Sequence, residues 1–345
     1  MDNLRFFKSS FWVTGIGLFL GLLLGYFYTN TITGALSSLF IVAILAVLEV
    51  SLSFDNAVVN AKVLNNMTDV WKHRFITWGM LIAVFGMRLI FPLLIVGVAA
   101  HLNPIATLNL AIFNPEKYAE ILTAAHIQIS GFGGAFLAMV ALRYFFDKEK
   151  DIHWVKLIEE PLTKVGRIAA VELGLVLFLM YLVSSELPEH EAHQFLVAGI
   201  FGLITYIIVD GIGALMEIDE KDIESMHKAS AAMFVYLEVL DASFSFDGVI
   251  GAFALTNNIF IIMIGLGIGA MFVRSLTIML VEKGTLAEYR YLEHGAFYAI
   301  AILAFIMLTD SLLHIPEVIT GLAGACLIGL AIWSSVVWKR KHVAE

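Results

Sequence analysis

Charge, cysteine and catalytic signatures are all scarce in this chain of 345 residues. Only 15% of positions are charged against 60% hydrophobic, and the mean hydropathy is +0.87. That balance excludes a soluble globule and points to a polytopic membrane protein. Cys326 is the one cysteine and lies in an apolar run, which rules out an internal disulfide or a cysteine-based metal site. No basic stripe interleaved with aromatics is present, so nucleic acid is not expected as a partner. His-Glu-x-x-His, Gly-x-Ser-x-Gly and Gly-x-Gly-Asp are all missing, and no enzymatic activity is expected. The first apolar run ends in Tyr26-Phe27-Tyr28-Thr29-Asn30 without a small-x-small cleavage site, so it reads as an uncleaved span.

Apolar runs of membrane-crossing length fall at approximately 11–28, 36–61, 75–100, 123–146, 168–185, 195–216, 229–256, 258–281, 294–313 and 318–338. Ten helices are therefore expected, in an all-α transmembrane bundle forming one integral membrane domain over 1–345. With ten spans, eighteen Lys and Arg fall on one side, Arg5, Arg167, Lys221 and Lys339 among them, and Lys117 alone on the other. Arg88 and Arg274 lie within spans. The positive-inside rule then puts both termini in the cytoplasm. Residues 147–167, with Asp147-Lys148-Glu149-Lys150-Asp151 and an amphipathic stretch after them, read as a solvated cytoplasmic linker on the membrane surface. Residues 101–120, with Asn103-Pro104 and Asn114-Pro115, read as an external loop, the alternative being a re-entrant hairpin.

One polar phrase occurs twice, 192 residues apart. Glu49-Val50-Ser51-Leu52-Ser53-Phe54-Asp55-Asn56 is echoed by Asp241-Ala242-Ser243-Phe244-Ser245-Phe246-Asp247-Gly248. Acids inside an apolar span cost about 2.5–3.5 kcal/mol each and mark functional sites by default. The echo continues: Gly79 precedes Arg88 by nine residues, as Gly265 precedes Arg274. Further on, Gly134-Ala135-Phe136 can be paired with Gly295-Ala296-Phe297, or Gly131 and Gly134 with Gly321 and Gly324. The motif spans are the second and seventh, so they run in opposite directions. This is an inverted-topology repeat of three helices, 36–146 and 229–313, with 168–216 between and 318–338 as a terminal helix. Such repeats place a transporter's cation site near the midplane.

Within each motif the polar groups recur every second residue. On a continuous helix Glu49 and Asp55 would stand about 120° apart, leaving polar groups around most of the circumference. Either the helix is wholly buried, or it unwinds around Ser51–Asp55 so that carboxylates and carbonyls converge; the shared period favours unwinding. The donors are all oxygen: Glu49, Asp55, Asn56, Asp241 and Asp247, supported by Ser51, Ser53, Ser243 and Ser245. Such a set suits Mg²⁺, Ca²⁺ or Mn²⁺. Arg88 and Arg274 are expected to hold the empty site together. Asp210, in Val209-Asp210-Gly211, is the candidate proton relay, while Glu172, Glu238 and Asp310 are weaker intramembrane candidates.

The first motif resembles the Glu-x-x-Leu-Ser-x-Asp-Asn signature of the TerC family of integral membrane proteins. Phe244-Ser245-Phe246-Asp247, Arg274-Ser275-Leu276 and Tyr291-Leu292-Glu293-His294-Gly295-Ala296 are similar to that family's second half. The resemblance covers roughly 36–146 and 229–313; it departs at Gly248, where the family usually has serine. It implies a bacterial inner-membrane protein exporting a divalent metal, Mn²⁺ foremost, with kinship to the lysine-exporter superfamily. It marks Glu49, Asp55, Asn56, Asp241 and Asp247 as motif positions. A secondary transporter coupled to protons is expected, with the cation as substrate and no tightly bound cofactor. The alternative is a non-transporting scaffold or assembly factor in tellurite or metal stress. Expected partners are the lipid bilayer, metal ions, and a second copy or a stress-response membrane complex.

Overall fold

A computed structural model describes residues 2–79, 81–166, 168, 170–215, 223–313, 315 and 317–342. Arg167 and Lys221 lie outside the described residues, as does the side chain of Asp247. Among the described residues helix is the only regular secondary structure. Helix α1 (Lys8–Thr29) lays Gly17, Gly21 and Gly25 against its neighbours. The four-residue glycine spacing lets backbones approach closely, as small residues do between membrane helices. A Cβ on Gly17 would stand 2.6 Å from Ile268, and one on Gly21 would stand 2.8 Å from Val42. Thr31 then caps α2 (Ile32–Leu52) by accepting from the Gly34 amide.

The second expected span is two helices. α2 stops at Leu52, Ser53 departs from helical geometry at φ −109° and ψ 17°, and α3 (Phe54–Asn65) begins at once. The first motif therefore breaks where unwinding was expected. The second does not: α12 (Ile223–Phe253), introduced below, runs unbroken through its copy. That half of the expectation is corrected.

After the short α4 (Asp69–Arg74), the third span is π-helical over Phe75–Gly79 and Ile82–Ile90 before α5 (Phe91–Ala99). Wide turns of this kind are rare and concentrate at functional sites. The stretch read as an external loop instead holds α6 (Pro104–Phe113) and α7 (Pro115–Ala124). Asn103 and Asn114 cap these helices through their side-chain oxygens, and each is followed by proline at the first helical position.

α8 (His126–Phe145) is buried on nearly every side, and a helix apolar all round belongs inside a bundle. α9 (Lys156–Val165), α10 (Val171–Ser185) and α11 (Glu189–Leu215) lead to α12. α13 (Ile259–Glu282), α14 (Thr285–Glu288), α15 (Leu292–Leu313) and α16 (Glu317–His342) complete the chain. Among the described residues, eight helices are long and apolar enough to cross a membrane. The other two of the ten expected spans exist as helices but miss that standard. α10 has only 15 residues, and α12 carries Glu238, Asp241 and Asp247 along its length.

The halves interleave. α13 lies against α1, α2, α3 and the π-helical stretch; α12 crosses that stretch, α8 and α11; α8 packs along α15. One core gathers α3, α8, α12 and α15 around Val58, Phe136, Leu240 and Ile300. A second gathers Leu45, Val96, Tyr118, Val249 and Ile262. Exposed rings such as Phe11, Trp12, Phe40, Phe178 and Trp333 give the periphery the apolar surface that lipid requires. The protein is a polytopic helical membrane bundle.

Candidate functional site

The crossing of α2 with α12 and α13 brings the two motif copies together. Glu49 sits one turn before the break in α2 and is 1% exposed. α13 can approach it because Gly269 is bare there: a Cβ would stand 2.4 Å from the Glu49 Cβ. α12 approaches from the other side through Gly248, whose Cβ would lie 3.2 Å from Glu49 Oε2. Gly248, the last residue of the second motif, thus faces the acid directly.

Glu49 Oε1 accepts from Arg88 Nη2 in an ion pair buried on both sides, and from Ser53 Oγ at 3.1 Å. Arg88 also donates from Nη1 to the Ala83 carbonyl, inside the π-helical stretch, and lies within electrostatic reach of Asp241. In the second copy Ser245 Oγ donates to Asp241 Oδ2 at 3.4 Å. Each motif therefore ties its first acid to the serine four residues on, one helical turn away. Arg274 donates from Nε to the Ile76 carbonyl at 2.9 Å, so both arginines anchor on the backbone of the same irregular span.

Glu49, Ser53, Asn60, Arg88, Glu238 and Asp241 line a cavity of about 40 Å³, with Arg274 on its wall. That is room for an ion with a few waters, since one water needs about 10–15 Å³ of such space. Glu49 and Ser53 also line a second cavity of about 30 Å³, shared with Asp55, Gly248 and Thr320. Asp55 sits at the N-terminus of α3, where its carboxylate accepts from its own amide and that of Asn56. A helix N-terminus favours an anion there. Asn56 is 1% exposed, and its Oδ1 has no hydrogen-bond partner.

Other expected residues fall elsewhere. Ser51 is exposed and donates to the Val47 carbonyl, and Ser243 donates to Val239; neither lines these cavities. Asp210 is exposed and borders a separate open cavity of about 620 Å³ with Arg143, Glu172, Tyr206 and Tyr236. Its placement puts it outside the motif site. Asp310 faces His126 Nδ1 at 3.5 Å. Among the described residues, no three His, Cys, Asp or Glu side chains are grouped closely enough to hold a metal ion. In this conformation Arg88 takes the charge of Glu49.

The linker is no free strand. Glu159 of α9 is wholly buried and accepts from the Trp154 and Val155 amides at 3.2 and 3.1 Å and from the Tyr298 hydroxyl at 3.2 Å. Lys150 Nζ reaches its other oxygen at 2.9 Å, and His294 Nε2 lies 3.4 Å away. Burial pushes the Glu159 carboxyl up, but Lys150, the Val155 amide and His294 outweigh it and hold the group below the usual carboxylate value. Burial likewise holds the Lys150 ammonium below the ordinary lysine value. Beside this latch Lys62 pairs with Glu293 at 2.7 Å and stands over the Tyr144 ring. The sequence signal was weak: Glu159 is one of two adjacent glutamates in a polar segment.

Fold and buried polar centre together define a membrane-embedded, all-helical protein with paired intramembrane acids. The model of a family of proteins of unknown function, DUF475, matches residues 54–342, and the chain belongs to that family. The matched stretch takes in Asp55, Asn56, Arg88, Asp241, Asp247 and Arg274. No curated protein and no solved structure matches the chain.

Proposed function

We propose that the protein is a secondary transporter that exports a divalent metal cation, Mn²⁺ foremost, across a bacterial inner membrane in exchange for protons. Both termini would be cytoplasmic, and the chain would be a relative of the TerC exporters. The observation that carries the reading is that Glu49 and Asp241, from motif copies 192 residues apart, border one cavity together with a buried arginine. Acids within an apolar bundle are retained where they serve an ion path. The donors available are oxygens, which suit hard divalent cations.

Arg88 supplies positive charge while the substrate is away; release of Glu49 from it opens the acid to a cation. Rocking of one repeat against the other would expose the site alternately, with Glu49 between the two small cavities. The Asp55→Ala and Asp247→Ala variants test this in cells. Manganese efflux should vanish in each while membrane abundance holds; normal efflux in both removes these acids from the path. The scaffold reading draws on the same Glu49–Arg88 pair, as a lock between helices. It requires loss of the folded protein, with no separate loss of flux, when either aspartate is replaced.

A further inference from the structure

The polar phrase does not contain the acid that this cavity leaves most exposed energetically. Glu238 lies one turn before Asp241 on α12, on the same face. It is 9% exposed, it lines the 40 Å³ cavity, and neither carboxyl oxygen has a hydrogen-bond partner. The backbone opposite is cleared for it: a Cβ on Gly79, in the π-helical stretch, would stand 2.8 Å from Glu238 Oε1. A buried carboxyl with both oxygens unmatched is rare in folded proteins and calls for a ligand. Glu49, by contrast, already has Arg88 and Ser53, and Asp241 has Ser245.

We infer that Glu238 is a ligand of the transported cation: Glu49, Glu238 and Asp241 line one cavity but are not grouped closely enough to hold an ion in this conformation, and they close into a three-carboxylate site once Arg88 lets go of Glu49. The inference rests on the transport reading above and extends it beyond the duplicated motif. The three carboxylates face one fully buried guanidinium, that of Arg88, and a half-buried one, that of Arg274. A divalent cation is what would let the three acids ionise together in so apolar a place. Ser53 and Asn60 add neutral oxygens at the cavity wall. Mg²⁺ sheds its water reluctantly, so a site that supplies three carboxylates disfavours it relative to cations that accept protein oxygens readily.

The test is Mn²⁺ binding to the purified full-length protein, read from the loss of the free-ion electron paramagnetic resonance signal. Glu238→Gln keeps the shape and removes the charge, and should weaken Mn²⁺ at least about tenfold, the lower bound for partners even one shell from a metal. Gly79→Ala keeps every carboxylate but pushes a methyl group onto the flexible end of Glu238, and should weaken binding in the same direction. Unchanged thermal unfolding of both variants shows that they remain folded. Wild-type affinity in Glu238→Gln overturns the inference and leaves the transporter reading standing. No Mn²⁺ binding by the wild type overturns both.

Discussion

Replacing Arg88 by methionine strips Glu49 of its charge partner while conserving most of the buried volume. Both side chains are 2% exposed, so solvent cannot step in. Removing one member of such a pair typically costs about 3–5 kcal/mol, because the remaining charge stays buried and uncompensated. Ser53 Oγ at 3.1 Å offers one hydrogen bond in return, worth about 1 kcal/mol. Neutralising the acid as well should rescue the loss. A buried ion pair contributes little net stability once its desolvation is counted, so the Glu49→Gln/Arg88→Met double variant should unfold within ~1–2 kcal/mol of the wild type. Thermal unfolding of the detergent-purified proteins reads both quantities. The single variant should melt on the order of 5–10 °C lower and the double variant close to the wild type. A single variant as stable as the wild type, or a double variant no better than the single, would refute the pairing argument.

Three further outcomes follow from the same geometry. Ser53→Ala should lower cation flux because it removes a neutral oxygen from the cavity wall and leaves Glu49 Oε1 to Arg88 alone, whereas Ser51→Ala should leave flux unchanged; a side-by-side transport assay separates them. Gly269→Leu should wedge α13 off α2, cost about 1–3 kcal/mol by overpacking, and reduce membrane abundance measured by immunoblot. The Glu159 latch should weaken in acid. Its folded carboxyl titrates below the unfolded value, so its stabilisation is present above the unfolded value and is lost as pH falls through the folded one. Limited proteolysis of 147–167 should accelerate over that acidic window, and Glu159→Gln should show fast cleavage already at neutral pH.

The helical bundle was legible because composition and run length are coarse, additive signals. The approach of Glu49 to Asp241 was legible too, since duplicated acids at matched positions have few places to go in an apolar bundle, whereas Asp55 borders a different cavity. Local backbone was harder. The same period of two produced a break at Ser53 and an unbroken helix through Ser245. Sequence spacing states which groups must be satisfied; it leaves open whether a serine turned back onto its acid, or a bare glycine such as Gly248, does it. The capped pair α6 and α7 had a readable signature, Asn followed by Pro, that polarity alone obscured.

Glu238 and Gly269 were harder still. Glu238 was visible only as an acid one turn ahead of its motif, and Gly269 as one glycine among 27. Their roles come from tertiary packing, which places one against Gly79 and lets the other admit Glu49. The wide turns of the third span had no sequence marker beyond Gly79 and Arg88 themselves.

Proton-driven Mn²⁺ movement in proteoliposomes containing the wild type or Asp241→Asn, both checked for folding, tests the central claim most directly. The wild type should move Mn²⁺ against its gradient when a proton gradient is imposed, and Asp241→Asn should not. Equal rates for the two proteins, or no movement by the wild type, would contradict the account.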